Sequence, residues 1–336
     1  AIPCGMLCQI VLVRLPVIGP GMNHLGAGLF AVGAGLAAWV AAPRLKNPLY
    51  VGIALAIILA CMSMTFYKNF GRRDLLGVIV AVMWAAYYSR WRSLETGKLI
   101  IRLGFVGVAG TILLFAVTSV RSGEFNKRGI VENISSLREA RITDGFDDVL
   151  SGQAASMASM WLIESRPQDK AYDTLHSARV LITMPIPRRV WPDKPMALAL
   201  SMPQVERHIP GKPDFFNIGP GLIGHIENDN PWLAMWLYAF FLAGMIRIFD
   251  RATAWFADNP FVVLPMGAAI GQFIAMARGE LGTFVFIAII NIIGAFCIMR
   301  AIFITLKFLG LIKIQSDEYE EWEYDSDTGY DEAYEH

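Results

Sequence analysis

Seven apolar runs, each about long enough to cross a bilayer, constrain this chain more than any other feature of its sequence. Spanning the hydrocarbon core takes about 20 mostly apolar residues. The runs lie at 25–42, 47–66, 74–90, 99–120, 231–249, 259–277 and 281–306. A weaker run at 5–20 is interrupted by Arg14 and Pro16. We therefore predict an all-α polytopic membrane protein with about seven to eight transmembrane helices.

The runs fall into two groups separated by a long polar segment. We predict N-terminal transmembrane helices in 1–120, an extracytoplasmic loop of short helices and Pro/Gly-rich backbone in 121–230, and C-terminal transmembrane helices in 231–306. The chain begins Ala-Ile-Pro, so upstream helices are expected to be missing. Most short loops that carry Lys or Arg can share one side, which the positive-inside bias makes the cytoplasm.

The charge of the chain is unevenly distributed. Its 29 basic and 29 acidic residues balance, but ten of the acids lie in 316–336, where there is no Lys or Arg. We expect this tail, within 307–336, to be disordered and cytoplasmic. The remaining body is basic, which suits anionic lipids or lipid-phosphate substrates, although the positive-inside bias explains part of the excess.

Pro185 to Pro195 reads PIPRRVWPDKP and holds three cations on stiff backbone. Proline fixes φ and restricts the residue before it, so this segment is predicted to be a preorganised loop. Arg188, Arg189 and Lys194 are candidate ligands for a phosphate headgroup, because Arg matches phosphate oxygens in a bidentate geometry. Snorkelling of the same cations to lipid phosphates is the simpler alternative.

Two further segments on the predicted outer side carry candidate chemistry. Arg278 precedes Gly279 and Glu280 between two apolar runs; it is either a phosphate ligand or a snorkelling residue paired with Glu280. His225 and Glu227, in the Gly-rich approach to the span at Pro231, are candidate general bases. The same stretch also suits a helix start capped by one of residues 228–230.

Weaker candidates complete the set of site residues. Arg72 and Arg73 fall in a loop on the outer side: either a span is miscounted, or they face the same site as the 185–195 loop. His208, in an exposed charged triplet, is a secondary candidate. The four cysteines lie in or beside apolar runs and show no metal-ligand spacing, so neither a metal nor a cofactor is predicted.

The segment from about 100 to 305 resembles the oligosaccharide repeat-unit polymerases, the O-antigen polymerase or Wzy-type family. The similarity lies in Ile186 to Pro195, in the Gly-rich approach 221–230 and in Arg278-Gly279. Where relatives commonly have Gly-Glu, this chain has Gly224-His225, so His225 or Glu227 would replace that acid.

The resemblance implies an inverting, metal-independent glycosyltransferase of the bacterial inner membrane. Its substrates would be undecaprenyl-diphosphate-linked glycans as donor and acceptor. A chain-length regulator or a flippase are possible protein partners, and no nucleic-acid partner is expected. A glycan ligase acting on the same lipid and a glycan transporter are the alternatives. Transporters usually show internal repeats and broken helices, and no repeat is visible in this sequence.

Overall fold

The computed structural model describes residues 1–15, 18–65, 72–120, 153–202 and 219–310. All regular secondary structure in these ranges is helical, which confirms the all-helical class. Helices satisfy their own backbone hydrogen bonds, as a segment in hydrocarbon must. The longer stretches that lie outside the described residues are 121–152, 203–218 (which contains His208) and the acidic tail from 311. The predicted domain boundaries therefore stay predictions.

The helices follow the apolar runs closely. In chain order they are α1 (Ile2–Met6), α2 (Gly19–Ala41), α3 (Pro48–Thr65), α4 (Arg72–Ser89), α5 (Thr96–Val120), α6 (Gln153–Ser165), α7 (His176–Thr183), α8 (Leu198–Ser201), α9 (Gly221–Asn228), α10 (Pro231–Trp255), α11 (Pro260–Met276), α12 (Leu281–Ile289) and α13 (Ala295–Phe308). A π-helical turn, Ile290–Gly294, joins α12 and α13 into one continuous helix.

Five segments of the described chain are long and apolar enough to span a membrane. They are Gly21–Arg44, Pro48–Thr65, Thr96–Ala116, Pro231–Trp255 and Leu281–Phe308. The helices α4 and α11, which the sequence also predicts to span, fall short: α4 opens with Arg72, Arg73 and Asp74, and α11 has 17 residues. The structure therefore supports several spans, and the count of seven to eight stays a prediction.

The core of the helical bundle forms around α2, which packs against α3, α4 and α11. Leu29, Phe30 and Val32 on α2 are completely buried. Small residues let the neighbouring helices approach closely. A Cβ on Gly28, for example, would come within 2.7 Å of the Asn291 side chain. Residues 1–298 form one compact unit, and a second unit begins at Met299, within α13.

The two ends of the bundle differ. At one end, Arg92 after α4 forms an ion pair with Asp258 after α10. The short helices belong to the other end: α9 packs against α6 and α10, and α7 packs against α12. Because α2, α4, α10 and α12 all begin at this second end, it gathers the segments that the sequence analysis singles out.

Candidate functional site

A cavity of about 590 Å³ lies at this second end, between the start of α2, the loop that follows α7, and α12. Its volume is in the usual range for small-molecule sites. Its walls are mostly apolar and include Ile18, Met22, Val180, Met184, Phe286, Ile287 and Ile290. The polar side chains that line it are His24, Thr183, Arg188, Arg189, Lys194 and Thr283. The three cations of the 185–195 loop therefore meet at one cavity.

Lys194 holds the loop in place. Its Nζ donates to the Ile186 carbonyl at 2.7 Å and lies 3.4 Å from the carbonyl oxygens of Thr183 and Met184 at the end of α7. These are carbonyls that a helix C-terminus leaves without partners in the helix. Burial, together with repulsion from Arg188, lowers the pKa of Lys194. Lys194 thus fixes the conformation of the loop and also adds a positive charge to the cavity.

Arg188 and Arg189 are exposed and line the cavity. Arg188 Nη1 donates to the carbonyls of Pro192 and Lys194, at 3.1 and 3.3 Å, which leaves its other donors for a ligand. No side-chain hydrogen bond of Arg189 is found within the described ranges. The two guanidinium groups are therefore available to an anion in the cavity.

The cavity is electrostatically one-sided. No Asp or Glu is found among the described residues that line it. Arg73 at the start of α4 lies over the Phe284 ring, 4.2 Å from its centroid, and is close enough to His24 to act on it electrostatically. Like-signed charges around a low-dielectric cleft concentrate its field. The site therefore favours an anionic group attached to an apolar chain.

His225 lies away from this cavity, in a buried polar network. It is 0% exposed on α9, with its Nδ1 2.6 Å from the Oγ of Ser177. Its Nε2 lies 3.3 Å from Glu280 Oε2 and 3.2 Å from the Leu281 N, so it has an acceptor when protonated and a donor when neutral. Such complete burial argues against direct contact with a substrate and favours a structural role. That His225 is a general base stays a prediction.

Charge attraction sets the titration of this network. Burial on its own lowers the pKa of His225, but the carboxylates of Glu280 and Asp229 raise it above its ordinary value. Burial on its own raises the pKa of Glu280, but His225 and the N–H of Ala199, which donates to Oε2 at 2.9 Å, lower it overall. His225 and Glu280 are thus a buried ion pair that links α9 to the start of α12.

Asp229 extends the network to α7. Its Oδ2 accepts from the Ser177 N at 2.7 Å and from the Tyr238 hydroxyl, and its Oδ1 accepts from Asn228 Nδ2 at 2.9 Å. Ser177 is the second residue of α7, so Asp229 supplies the N-terminal cap of a helix distant in sequence. Asn230 stands at the start of α10 without a side-chain cap bond.

Neither Glu227 nor Arg278 is among the residues that line the cavity. Glu227 is half-buried and accepts a hydrogen bond from Tyr172, whose pKa is raised by partial burial and by this carboxylate. Arg278 is exposed, and the backbone of its segment lies against that of Gly221, whose N–H donates to the Gly279 carbonyl at 3.1 Å. Arg72 belongs to α4, but its side chain lies outside the described part of the structure.

Two features of the site escape sequence reasoning. His24 stands in an apolar run with no informative neighbours, and only the fold places it at the cavity. The partners of His225 are 48 residues before it and 56 residues after it, and no spacing pattern announces such contacts. The loop cations were easier to find, because prolines and charges cluster locally.

The fold and site together define an all-helical protein with several helices able to span a membrane. No family model matches the chain, and no curated protein or solved structure matches it either. No group of His, Cys, Asp and Glu suited to a metal ion occurs among the described residues. The function therefore has to be argued from the cavity.

Proposed function

We propose that this protein is a membrane glycosyltransferase that polymerises lipid-linked oligosaccharide repeat units. It uses undecaprenyl-diphosphate-linked glycans as donor and acceptor at the outer face of the bacterial inner membrane. The observation that carries this proposal is the apolar cavity bordered by Arg188 and Arg189. An isoprenoid diphosphate combines the two properties that the cavity selects, an apolar chain and a concentrated negative charge.

The reaction needs little beyond positioned cations and a base. The hydroxyl of the acceptor sugar attacks the anomeric carbon of the donor, and the bond from that carbon to the diphosphate oxygen breaks. Negative charge then grows on the departing diphosphate. Fixed donors aimed at developing charge lower the barrier. Arg188 and Arg189 are in place to receive this charge, and Lys194 holds their loop rigid.

The membrane arrangement follows from the same proposal. The α4 and α11 helices cross the bilayer as shorter, enclosed spans beside the five longer ones, which gives seven of the seven to eight spans predicted from the sequence. The ends that carry the cavity face outwards, and the Arg92–Asp258 end faces the cytoplasm. A chain-length regulator or a flippase would meet the protein in the same membrane.

Replacing Arg188 and Arg189 singly by Ala tests the proposal. Charge-assisted hydrogen bonds contribute about 1.5–3 kcal/mol each, so each variant should lose at least about tenfold in polymer formation. The matched control is Arg247→Ala, which removes an exposed arginine towards the opposite end of α10. Polymer length is read on gels at equal protein level. Normal long chains from both cavity variants would remove the mechanism.

A purified protein separates the alternatives. Polymerisation in detergent, with no ion gradient supplied, distinguishes an enzyme from a transporter. In a deletion strain, accumulation of single-repeat glycan indicates a polymerase, whereas unattached long chains indicate a ligase. Binding of undecaprenyl diphosphate but not of undecaprenol, lost in the Arg188 and Arg189 variants, would tie the cavity itself to the substrate.

A further inference from the structure

The histidines of the described structure differ in whether their ring nitrogens have hydrogen-bond partners. His176 is committed: its Nδ1 pairs with Asp173 at 2.7 Å, and its Nε2 lies 2.9 Å from the Met196 carbonyl. His225 is committed too, as both its nitrogens have partners in the buried network. Histidines bound in this way position other groups and are poorly placed to accept a proton from a substrate.

His24 differs from both. Its Nδ1 is buried and has no hydrogen-bond partner in the described ranges, and no hydrogen bond to its Nε2 is found there. Buried polar atoms in proteins nearly always have partners, so an uncommitted imidazole indicates a missing ligand or water. The side chain lines the cavity that holds Arg188 and Arg189.

His24 is also chemically distinct among the cavity residues. No carboxylate is found among the described residues that line the cavity, and its Arg and Lys side chains are hydrogen-bond donors without an acceptor. Its two threonines, Thr183 and Thr283, are not basic enough to take a proton. Among the described residues that line the cavity, the imidazole of His24 is the side chain able to accept a proton from a sugar hydroxyl.

We propose that His24 is the general base of the glycosyl transfer, an inference that rests on the proposed function. The oxygen of the acceptor hydroxyl forms a bond to the anomeric carbon, and its proton passes to the unprotonated nitrogen of His24. The bond from the anomeric carbon to the diphosphate breaks, and its electron pair leaves with the diphosphate towards Arg188 and Arg189. The imidazolium then returns the proton to water, so atoms and charge balance.

The arrangement suits this division of labour. His24 stands on α2 and the two arginines on the loop after α7, so base and leaving-group ligands come from different walls of the cavity. The charged groups that face His24 are Arg73 of α4 and the three cations of the loop. The cations are donors for the departing diphosphate, and His24 supplies the acceptor for the proton.

The test compares His24→Ala and His24→Gln with the wild type as purified full-length proteins. Initial rates of polymer formation should fall by about 10²–10⁴, the usual contribution of a general base. Binding of sugar-free undecaprenyl diphosphate should stay within about twofold, which also shows that the variants are folded. Added imidazole should restore part of the rate to His24→Ala.

The outcomes separate this inference from the function beneath it. If the wild type polymerises and Arg188→Ala does not, but His24→Gln keeps the wild-type rate, then His24 is not the base and the proposed function stands. If the variants lose lipid binding and rate together, with no rescue by imidazole, His24 is structural and the inference falls. If the purified wild type makes no polymer and binds no undecaprenyl diphosphate, the proposed function fails and the role of His24 fails with it.

Discussion

Replacing Glu280 by Gln tests whether the buried ion pair stabilises the end of the bundle that carries the cavity. Glu280 is 5% exposed and His225 0%, so the pair lies out of water. Gln has nearly the same shape and keeps an oxygen for the N–H of Ala199, which lies 2.9 Å from Oε2. The substitution therefore removes the charge and little else, which makes the result a measure of the ion pair.

The expected loss in the free energy of unfolding depends on which interactions the Glu280→Gln variant keeps. Deleting one partner of a buried pair costs about 3–5 kcal/mol when an unpaired charge is left behind. Here His225 can lose its proton and accept a hydrogen bond from the Leu281 N, 3.2 Å away, so no charge is stranded. The loss should then be that of one charge-assisted hydrogen bond, about 1.5–3 kcal/mol. We expect the thermal midpoint to fall by a few degrees.

The pH dependence has a sign that can be checked. The pKa of His225 is raised, so its contribution is present below its unfolded pKa of 6.5 and is lost as the pH rises through the folded pKa. The pKa of Glu280 is lowered, so its contribution is present above 4.5 and is lost as the pH falls through the folded pKa. The stability gap between wild type and Glu280→Gln should therefore be largest at mildly acidic pH and narrow at alkaline pH.

Thermal unfolding of the detergent-purified protein, followed by tryptophan fluorescence from pH 4 to 9, measures this gap. The matched control is Glu95→Gln, which breaks an exposed pair with Lys98 at 2.9 Å. Exposed pairs contribute about 0–1 kcal/mol, so this control should behave as wild type. A Glu280→Gln protein with unchanged midpoints throughout that range, or with a gap that widens towards pH 9, would refute the reasoning.

Three further predictions concern other contacts. Gly221→Ala should lower the thermal midpoint, because φ is +68° there and the new Cβ would lie 2.5 Å from the Ala277 carbonyl; a midpoint equal to wild type contradicts this. Lys194→Met should make the 185–195 loop more sensitive to limited proteolysis and weaken undecaprenyl diphosphate binding several-fold, since Nζ bonds the Ile186 carbonyl; unchanged cleavage and affinity count against it. Arg92→Ala should shift the midpoint little, because its partner Asp258 is exposed, and a drop of many degrees would show that this pair matters.

The helices could be predicted because hydrophobicity and proline act locally. The run predicted at 47–66 appears as Pro48–Thr65, and the run that starts at 231 appears as Pro231–Trp255. In both, proline takes the first helical position, where its missing N–H costs nothing. Short helices were predicted in 121–230, and Gln153–Ser165 is one of them. The local pattern of apolar residues and proline is thus enough to predict where these helices begin and end.

The sequence predicted part of the site, namely the contacts between residues that lie close together in the chain. The loop cations come together because their hydrogen bonds join residues at most 11 positions apart. Glu280 illustrates the opposite case: the sequence offered Arg278 as its partner, but the carboxylate bonds the N–H of Ala199, 81 residues away, and pairs with His225. Such partners depend on how α9, α8 and α12 pack, which no local pattern encodes.

The buried network lies at one end of α7, and the cavity lies at the other. Asp229 bonds the Ser177 N at the start of α7, and Lys194 bonds carbonyls at its end. A carboxylate at the N-terminus and an ammonium at the C-terminus both match the helix dipole, so each charge stabilises the same eight-residue element. Because the 185–195 loop starts two residues beyond α7, the direction of this helix sets where Arg188 and Arg189 point. Asp229, which is not among the residues that line the cavity, therefore helps to set where the cavity's arginines lie.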